Sequence, residues 1–153
     1  MRIALDTTYV LPCVGVAQEG VPVDLLKRIR RAGHETILSE ISVFEAMAIA
    51  AKHCARSDLR EDDILTGVAV LASQEGLARV PISEPEVCLR SLLARRLMSD
   101  FVDCVILATG AWAANILMTE DEEIQKFPFQ SLMPTYSDFR IADYRNAVKI
   151  LGL

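Results

Sequence analysis

The chain has 153 residues, of which 52% are hydrophobic and 24% are charged. This length and composition predict one domain, residues 1–153, with a substantial core, and they exclude an intrinsically disordered chain. The formal net charge of −5 argues against a nucleic-acid binder that depends on a bulk positive field, although two bound divalent cations would raise the charge by about four.

Strands and helices are predicted to alternate along the chain. In the first half, the expected elements are a strand at 2–5, a helix at 22–32 ended by Gly33, a strand at 35–38, a helix capped by Ser39 or Ser42 that ends near residue 54, and a helix at 60–75. In the second half, they are a strand at 78–82, a helix at 85–98 capped by Ser83, a helix capped by Ser99 or Asp100 that ends near residue 113, a strand at 115–119, a short fifth strand within 127–133, and a helix from Ser137 to near Gly152. This order predicts a three-layer α/β/α fold with a mainly parallel sheet of four to five strands.

The remaining compositional signals favour a reduced, cytoplasmic protein. The four cysteines form no C-x-x-C pair, and only two histidines accompany them, so buried thiols are expected instead of a zinc site. Asp6 interrupts the N-terminal apolar stretch, which argues against a signal peptide. The apolar run 101–118 contains Asp103, Gly110 and Asn115 and is predicted to be a helix followed by a strand, so no membrane span is expected.

Four acids stand next to apolar runs that otherwise avoid charge: Asp6, Glu45, Asp103 and Asp121. Ligands bind at the carboxyl ends of strands in such sheets. Asp6 and Asp121 each follow a predicted strand there, and the other two acids fall in the first turns of predicted helices. A carboxylate beside a core is costly unless it is compensated, and a hard divalent cation would compensate all four.

Each acid also has a structural interpretation. Asp6 can form an Asx turn, and Glu45 can close an S-x-x-E capping box with Ser42. Asp103 can close a similar box with Asp100, and Asp121 belongs to an acidic run of the kind that is usually solvated. Taken singly, these interpretations are favoured. Taken together, in this order and on this topology, the four acids indicate a shared functional site.

The four segments together resemble the motifs of the PIN-domain ribonucleases over nearly the whole chain. They read Ile-Ala-Leu-Asp6-Thr-Thr8, Ser39-Glu-Ile-Ser42-Val-Phe-Glu45, Asp103-Cys-Val-Ile-Leu-Ala-Thr109 and Leu-Met-Thr119-Glu-Asp121. The resemblance implies a PIN-like fold and an endoribonuclease similar to VapC toxins. It further implies that the four acids hold one or two Mg²⁺ or Mn²⁺ ions, which activate water for attack on an RNA phosphodiester, and that Thr8 or Thr119 orients a carboxylate or a water.

The resemblance also implies a homodimer and an antitoxin partner. Apolar residues on the first two predicted helices exceed what one core face needs, which supports a dimer: Leu25, Leu26, Ile29, Phe44, Met47, Ile49 and Ala50. Basic residues on the first helix would then join across the dimer as phosphate contacts: Lys27, Arg28, Arg30 and Arg31. The alternatives are a PIN-fold RNA-binding or scaffold protein with weak or no nuclease activity, and a Mg²⁺-dependent phosphatase. The phosphatase is disfavoured because Thr8 stands where a D-x-D pair requires an acid.

Overall fold

A computed structural model describes residues 1–129 and 138–153 of the chain. In these residues, the central layer is a sheet of five parallel strands in the order β3-β2-β1-β4-β5. The strands are β1 Arg2–Leu5, β2 Glu35–Ser39, β3 Leu77–Val80, β4 Ile116–Met118 and β5 Arg140–Ala142. The first strand is therefore central, and its register places Ile3 between Thr36 and Ile116.

Helices connect the strands, as parallel pairing requires. They are α1 Leu25–Arg31, α2 Glu40–Ala55, α3 Glu61–Ser73, α4 Pro85–Ala94, α5 Phe101–Ala113, α6 Glu122–Gln125 and α7 Tyr144–Leu151. Two 3₁₀ helices, Thr7–Tyr9 and Leu11–Val14, follow β1. Local residues fix the helix ends: Asp100 accepts a hydrogen bond from the Val102 amide at the start of α5, and Gly152 in the left-handed region ends α7.

Both faces of the sheet are covered, and alternate residues of each central strand pack on opposite faces. Ile3 and Leu5 of β1 pack into a cluster formed with α1, α2, α3 and α7. Ala4 packs into a second cluster formed with α4, α5 and α6. Burial on both faces explains why the central strands are continuous apolar runs instead of alternating ones.

The predicted three-layer α/β fold with a parallel sheet is confirmed, and the arrangement agrees with a PIN-like fold. The apolar run 101–118 forms α5 and then β4, as expected. Among the described residues, no helix has the length and apolar character needed to cross a bilayer.

The fifth strand is not where the sequence predicts it. Phe127 and Pro128 lie outside regular structure, residues 130–133 of the expected strand lie outside the described residues, and β5 is Arg140–Ala142. The aromatic side chains pack instead of pairing: Phe127 and Phe129 are buried in the second cluster, where the Phe129 ring lies 4.7 Å from that of Phe139.

Two predicted helix caps also need correction. Glu84, and not Ser83, precedes α4, because Pro85 with its fixed φ begins the helix. Ser137 lies outside the described residues, and α7 begins later because β5 is extended up to Ala142. Asp143 caps α7 by accepting a hydrogen bond from the Asn146 amide at 2.7 Å.

The apolar face of α1 is not surplus. Leu25, Leu26 and Ile29 are buried against the sheet of their own chain. Ala50 of α2 is buried there too, whereas Phe44 and Met47 are exposed to 66% and 41%. The surplus apolar surface expected on α1 is therefore absent, and only the exposed face of α2 still supports a dimer.

Candidate active site at the carboxyl edge of the sheet

Asp6 lies at the carboxyl end of the central strand, where the chain leaves β1 and enters a 3₁₀ helix. It is 7% exposed. Its Oδ1 accepts a hydrogen bond from the Thr7 amide at 2.6 Å, and its Oδ2 accepts one from the Thr119 hydroxyl at 2.6 Å. Burial raises the pKa of Asp6, the two hydrogen bonds oppose this rise, and the nearby charges of Glu45 and Asp121 add to it.

Asp121 stands at the neighbouring strand end, just past β4. Its Oδ1 accepts a hydrogen bond from the Ile124 amide at 2.8 Å and so caps α6. The Asp121 amide donates to the Thr119 hydroxyl at 3.0 Å. The Thr119 hydroxyl therefore connects the Asp6 carboxylate to the Asp121 backbone, and its orienting role stays a prediction.

Glu45 reaches the same edge from α2. Its Oε2 accepts a hydrogen bond from the Thr7 hydroxyl at 2.5 Å. The capping-box interpretation does not apply, because α2 begins at Glu40 after Ser39 and Ser42 lies inside the helix. The Glu45 carboxylate therefore binds the turn that follows Asp6, through the Thr7 hydroxyl.

Asp103 is the third residue of α5 and is half-buried. Asp100 provides the helix cap, so Asp103 is not needed to cap the helix. Burial first, and then the negative charges of Asp100, Asp121, Asp6 and Glu45, raise the pKa of Asp103 to about 7. A carboxyl whose pKa is raised by burial and by neighbouring acids is typical of functional sites.

The four acids line one cavity of about 340 Å³. Its other lining residues in the described part of the chain are Thr7, Thr8, Leu11, Ile49 and Glu120. None of these is basic, so the carboxylates face one another without a cationic side chain between them. The structure thus brings together every acid that the sequence singles out.

The donor chemistry suits a hard cation, but the side chains do not surround one point. Among the described residues, no group of three or more His, Cys, Asp or Glu side chains is close enough to hold a metal ion. Mg²⁺ usually keeps several waters and binds through one or two carboxylates, so its binding does not require three side chains at one point. The absence of histidine and cysteine from the lining favours oxygen-liganded ions over zinc.

Two polar residues of the site, Thr7 and Glu120, are not predicted from the sequence. Thr7, and not Thr8, donates to Glu45, while Thr8 lines the cavity. Glu120 also lines the cavity and accepts a hydrogen bond from Tyr9. The only signal for Thr7 is its position next to Asp6, and the acidic run around Glu120 looks solvated in the sequence.

The basic residues of α1 are not part of this cavity. Arg28 pairs with Asp24 at 2.8 Å, and Arg30 pairs with Glu75 at 2.5 Å, both on the surface. Their role as phosphate contacts stays a prediction.

Fold and cavity together define a three-layer α/β protein with an acidic cavity at the carboxyl edge of a parallel sheet. No protein-family model and no curated protein matches the chain. Among solved structures, it is similar to a chain in the crystal structure of VapBC2 from Rickettsia felis bound to a DNA fragment from their promoter. The similarity has a TM-score of 0.60 at 12% identity and covers 94% of this chain and 98% of that chain. At this identity, the similarity shows the fold alone.

Proposed function

We propose that the chain is a divalent-metal-dependent endoribonuclease of the PIN class that hydrolyses phosphodiester bonds in RNA. The observation that carries this proposal is the convergence of Asp6, Glu45, Asp103 and Asp121 on one cavity. They come from four segments spread over the chain, and all four are at least partly buried without a cationic partner in the lining. Such an arrangement is costly in a protein that makes no use of it.

In the proposed reaction, the four acids hold one or two Mg²⁺ or Mn²⁺ ions. When bound, such ions lower the pKa of an attacking water and stabilise the leaving oxygen. The chain's own contribution is orientation. Thr119 holds Oδ2 of Asp6, the Thr7 amide holds Oδ1, and the Thr7 hydroxyl holds Glu45. Each acceptor oxygen keeps a second lone pair for the cavity. Thr8 is proposed to orient a water.

The test uses the purified protein and unstructured single-stranded RNA at low salt. We expect cleavage with Mg²⁺ or Mn²⁺, none with EDTA, and none with Asp6→Asn prepared in parallel. Asp63→Asn is the matched control, because Asp63 is an exposed acid in the first turn of α3, away from the cavity. Cleavage that persists in Asp6→Asn or in EDTA would reveal a contaminant and remove the support for the proposal.

We further propose that the protein is the toxin of a cytoplasmic toxin–antitoxin pair. The structural similarity to a chain of VapBC2, a toxin–antitoxin complex, supports this role. Expression in a bacterial host should arrest growth, Asp6→Asn should not, and co-expression of a small DNA-binding protein encoded beside the gene should restore growth. If Asp6→Asn still arrests growth, the toxicity does not depend on the cavity.

A homodimer belongs to the same proposal, supported now by Phe44 and Met47 alone. Light scattering at micromolar concentration should give twice the chain mass, and Phe44→Glu should halve it. Phe44→Glu is preferable to a change at Leu26, which is buried and would unfold the chain. A monomeric mass for the unchanged protein would rule out the dimer.

The second candidate is a PIN-fold RNA-binding or scaffold protein with weak or no nuclease activity. It is favoured by one observation, namely that in the described residues no three His, Cys, Asp or Glu side chains lie close enough together to hold a metal ion. It predicts that RNA binds without being cut and that binding is indifferent to Mn²⁺. Filter binding and cleavage measured on the same RNA, with and without Mn²⁺, distinguish the two candidates.

A further inference from the structure

A buried tyrosine in the turn after β1 contacts Glu120, a residue that lines the cavity. Tyr9 ends the first 3₁₀ helix and is 1% exposed. Its hydroxyl donates to Oε1 of Glu120 at 2.6 Å. A buried hydroxyl needs a partner, and an ionised acceptor makes the stronger bond. Burial and this bond both raise the pKa of Tyr9, so the hydroxyl stays a donor.

Glu120 uses the same oxygen for a second contact. Oε1 also accepts a hydrogen bond from the Tyr144 amide at 2.9 Å. Tyr144 begins α7, and its ring centroid lies 6.4 Å from that of Tyr9. One carboxylate oxygen therefore joins three segments: the turn after β1, the turn after β4 and the start of α7.

Two cavity acids belong to the segments that this contact joins. Asp6 opens the 3₁₀ helix that Tyr9 closes, and Asp121 follows Glu120 directly. The Thr119–Asp6 hydrogen bond is a first link between the two turns. The Asp6 amide also donates to the Met118 carbonyl at 3.0 Å, which joins the two strand ends. The Tyr9–Glu120 bond adds a side-chain link between the residues that follow, and it therefore further restricts rotation of one turn against the other.

We infer that the Tyr9–Glu120 hydrogen bond fixes Asp6 and Asp121 relative to each other, which makes Glu120 a positioning residue of the cavity. The inference rests on the proposed nuclease function. Because Glu120 also lines the cavity, its negative charge is the competing explanation. Glutamine separates the two, because it keeps the carbonyl acceptor for Tyr9 and Tyr144 and removes the charge.

The experiment compares Tyr9→Phe, Glu120→Ala, Glu120→Gln and the double variant Tyr9→Phe/Glu120→Ala. Glu122→Gln is the matched control, since Glu122 belongs to the same acidic run and is exposed. Three properties are measured: kcat and KM on a single-stranded RNA oligonucleotide, Mn²⁺ affinity by titration calorimetry, and thermal unfolding.

Tyr9→Phe and Glu120→Ala should each lower kcat about 10- to 100-fold, the size expected of a misplaced catalytic group. KM should change less than about twofold, because the loss falls on the transition state. Both variants should weaken Mn²⁺ binding. Glu120→Gln and Glu122→Gln should stay near the unchanged protein, and the double variant should be no worse than the poorer single one, since both changes remove the same contact.

Three results would overturn the inference. Glu120→Gln as impaired as Glu120→Ala would assign the effect to charge. Tyr9→Phe with unchanged kcat and Mn²⁺ affinity would show that the contact positions nothing. Additive losses in the double variant would show two independent roles. If Glu120→Ala fails to fold, Tyr9→Phe and Glu120→Gln decide alone.

The Mn²⁺ measurement separates this inference from the nuclease proposal. If the unchanged protein binds Mn²⁺ but does not cut RNA, the same order of variants in Mn²⁺ affinity supports positioning while the nuclease proposal fails. If it neither binds Mn²⁺ nor cuts RNA, both fail.

Discussion

Two groups of acidic residues in this chain have similar composition but differ in sequence spacing, exposure and electrostatic effect. At the start of α3, Glu61, Asp62 and Asp63 are consecutive, exposed and placed in the first turn, where the helix dipole favours negative charge. The cavity acids are far apart in sequence, at least partly buried and gathered around one cavity. The first group stabilises its helix, whereas in the second group burial, and then the charges of neighbouring acids, raise the pKa of Asp103 and Asp6.

The difference teaches that position relative to apolar structure is more informative than acid density. The side chains of adjacent acids can point away from one another into solvent, so that their mutual repulsion costs little free energy. Isolated acids at the ends of buried strands have no such freedom, because the parallel sheet brings the strand ends to one edge. The following predictions test this contrast, from the largest expected effect to the smallest.

Asp103→Asn should lower RNA cleavage by about 100-fold or more, since removing even an outer-shell partner of a metal ligand costs about 10- to 100-fold. Asp63→Asn should leave cleavage unchanged. In EDTA, Asp103→Asn should be as stable as the unchanged protein or more stable, because repulsion in the cavity is relieved. Initial rates and thermal melts measure both effects. A melting temperature several degrees lower for Asp103→Asn would make Asp103 a structural residue.

Saturating Mg²⁺ should stabilise the protein at pH 8. At 100 times the dissociation constant, a ligand specific for the folded state adds about 2.7 kcal/mol to the free energy of unfolding. For a chain of this size, that corresponds to roughly 5–10 °C in Tm. Asp103→Asn should lose most of the shift, and Asp63→Asn should keep it. An equal shift in all three proteins would place the ion elsewhere.

Without metal, the protein should lose stability as the pH rises from about 4 to about 7. In the folded state, Asp103 has a pKa of about 7, so it holds a proton that the unfolded chain has released above about pH 4. The free energy of unfolding therefore falls across this window and levels off above it. Asp6, whose pKa is also raised, contributes in the same direction.

Thermal melts in EDTA at several pH values measure this slope. Asp103→Asn should flatten it, and Asp63→Asn should not. Equal slopes in the unchanged protein and Asp103→Asn would contradict the assignment of the shift to Asp103.

Asp121 has two roles, because it caps α6 and also lines the cavity. Two substitutions of Asp121 should distinguish the structural role from the proposed catalytic one. Asp121→Asn keeps an acceptor for the Ile124 amide and should lose cleavage with little loss of stability. Asp121→Ala should lose cleavage and about 1 kcal/mol of stability, the usual value of a cap. Urea unfolding measures the difference. Equal stability of the two variants would mean that the cap is dispensable.

Most of the fold follows from the sequence because its signals are local. Apolar runs such as Ile3-Ala4-Leu5, and helix caps such as Asp100, need no knowledge of distant residues. The predicted fifth strand differs from the structure at its first residues. Phe127 and Phe129 pack into the core there without joining the sheet. Aromatic residues suit both situations, so their pattern does not distinguish them.

The acids of the cavity follow from the sequence for the same reason, since a charge beside an apolar run is visible locally. The hydroxyl partners do not. The choice of Thr7 over Thr8 for Glu45 depends on how the 3₁₀ helix turns after β1. The Tyr9–Glu120 contact joins residues 111 positions apart, and the local sequence around either residue does not indicate it.

The central place of β1 has a consequence for how the protein is made. Strand β1 pairs with β4. The cavity is lined by Asp6, which follows β1, and by Asp121, which follows β4. At translation rates of about 5–20 residues per second, a ribosome needs roughly 6–23 s to go from the first of these residues to the second. Until then, the nascent chain lacks an acid of the cavity and the strand that positions it. Chains released before residue 121 would therefore lack the complete cavity, so that any chemistry of the cavity would begin only after β4 and Asp121 have been made.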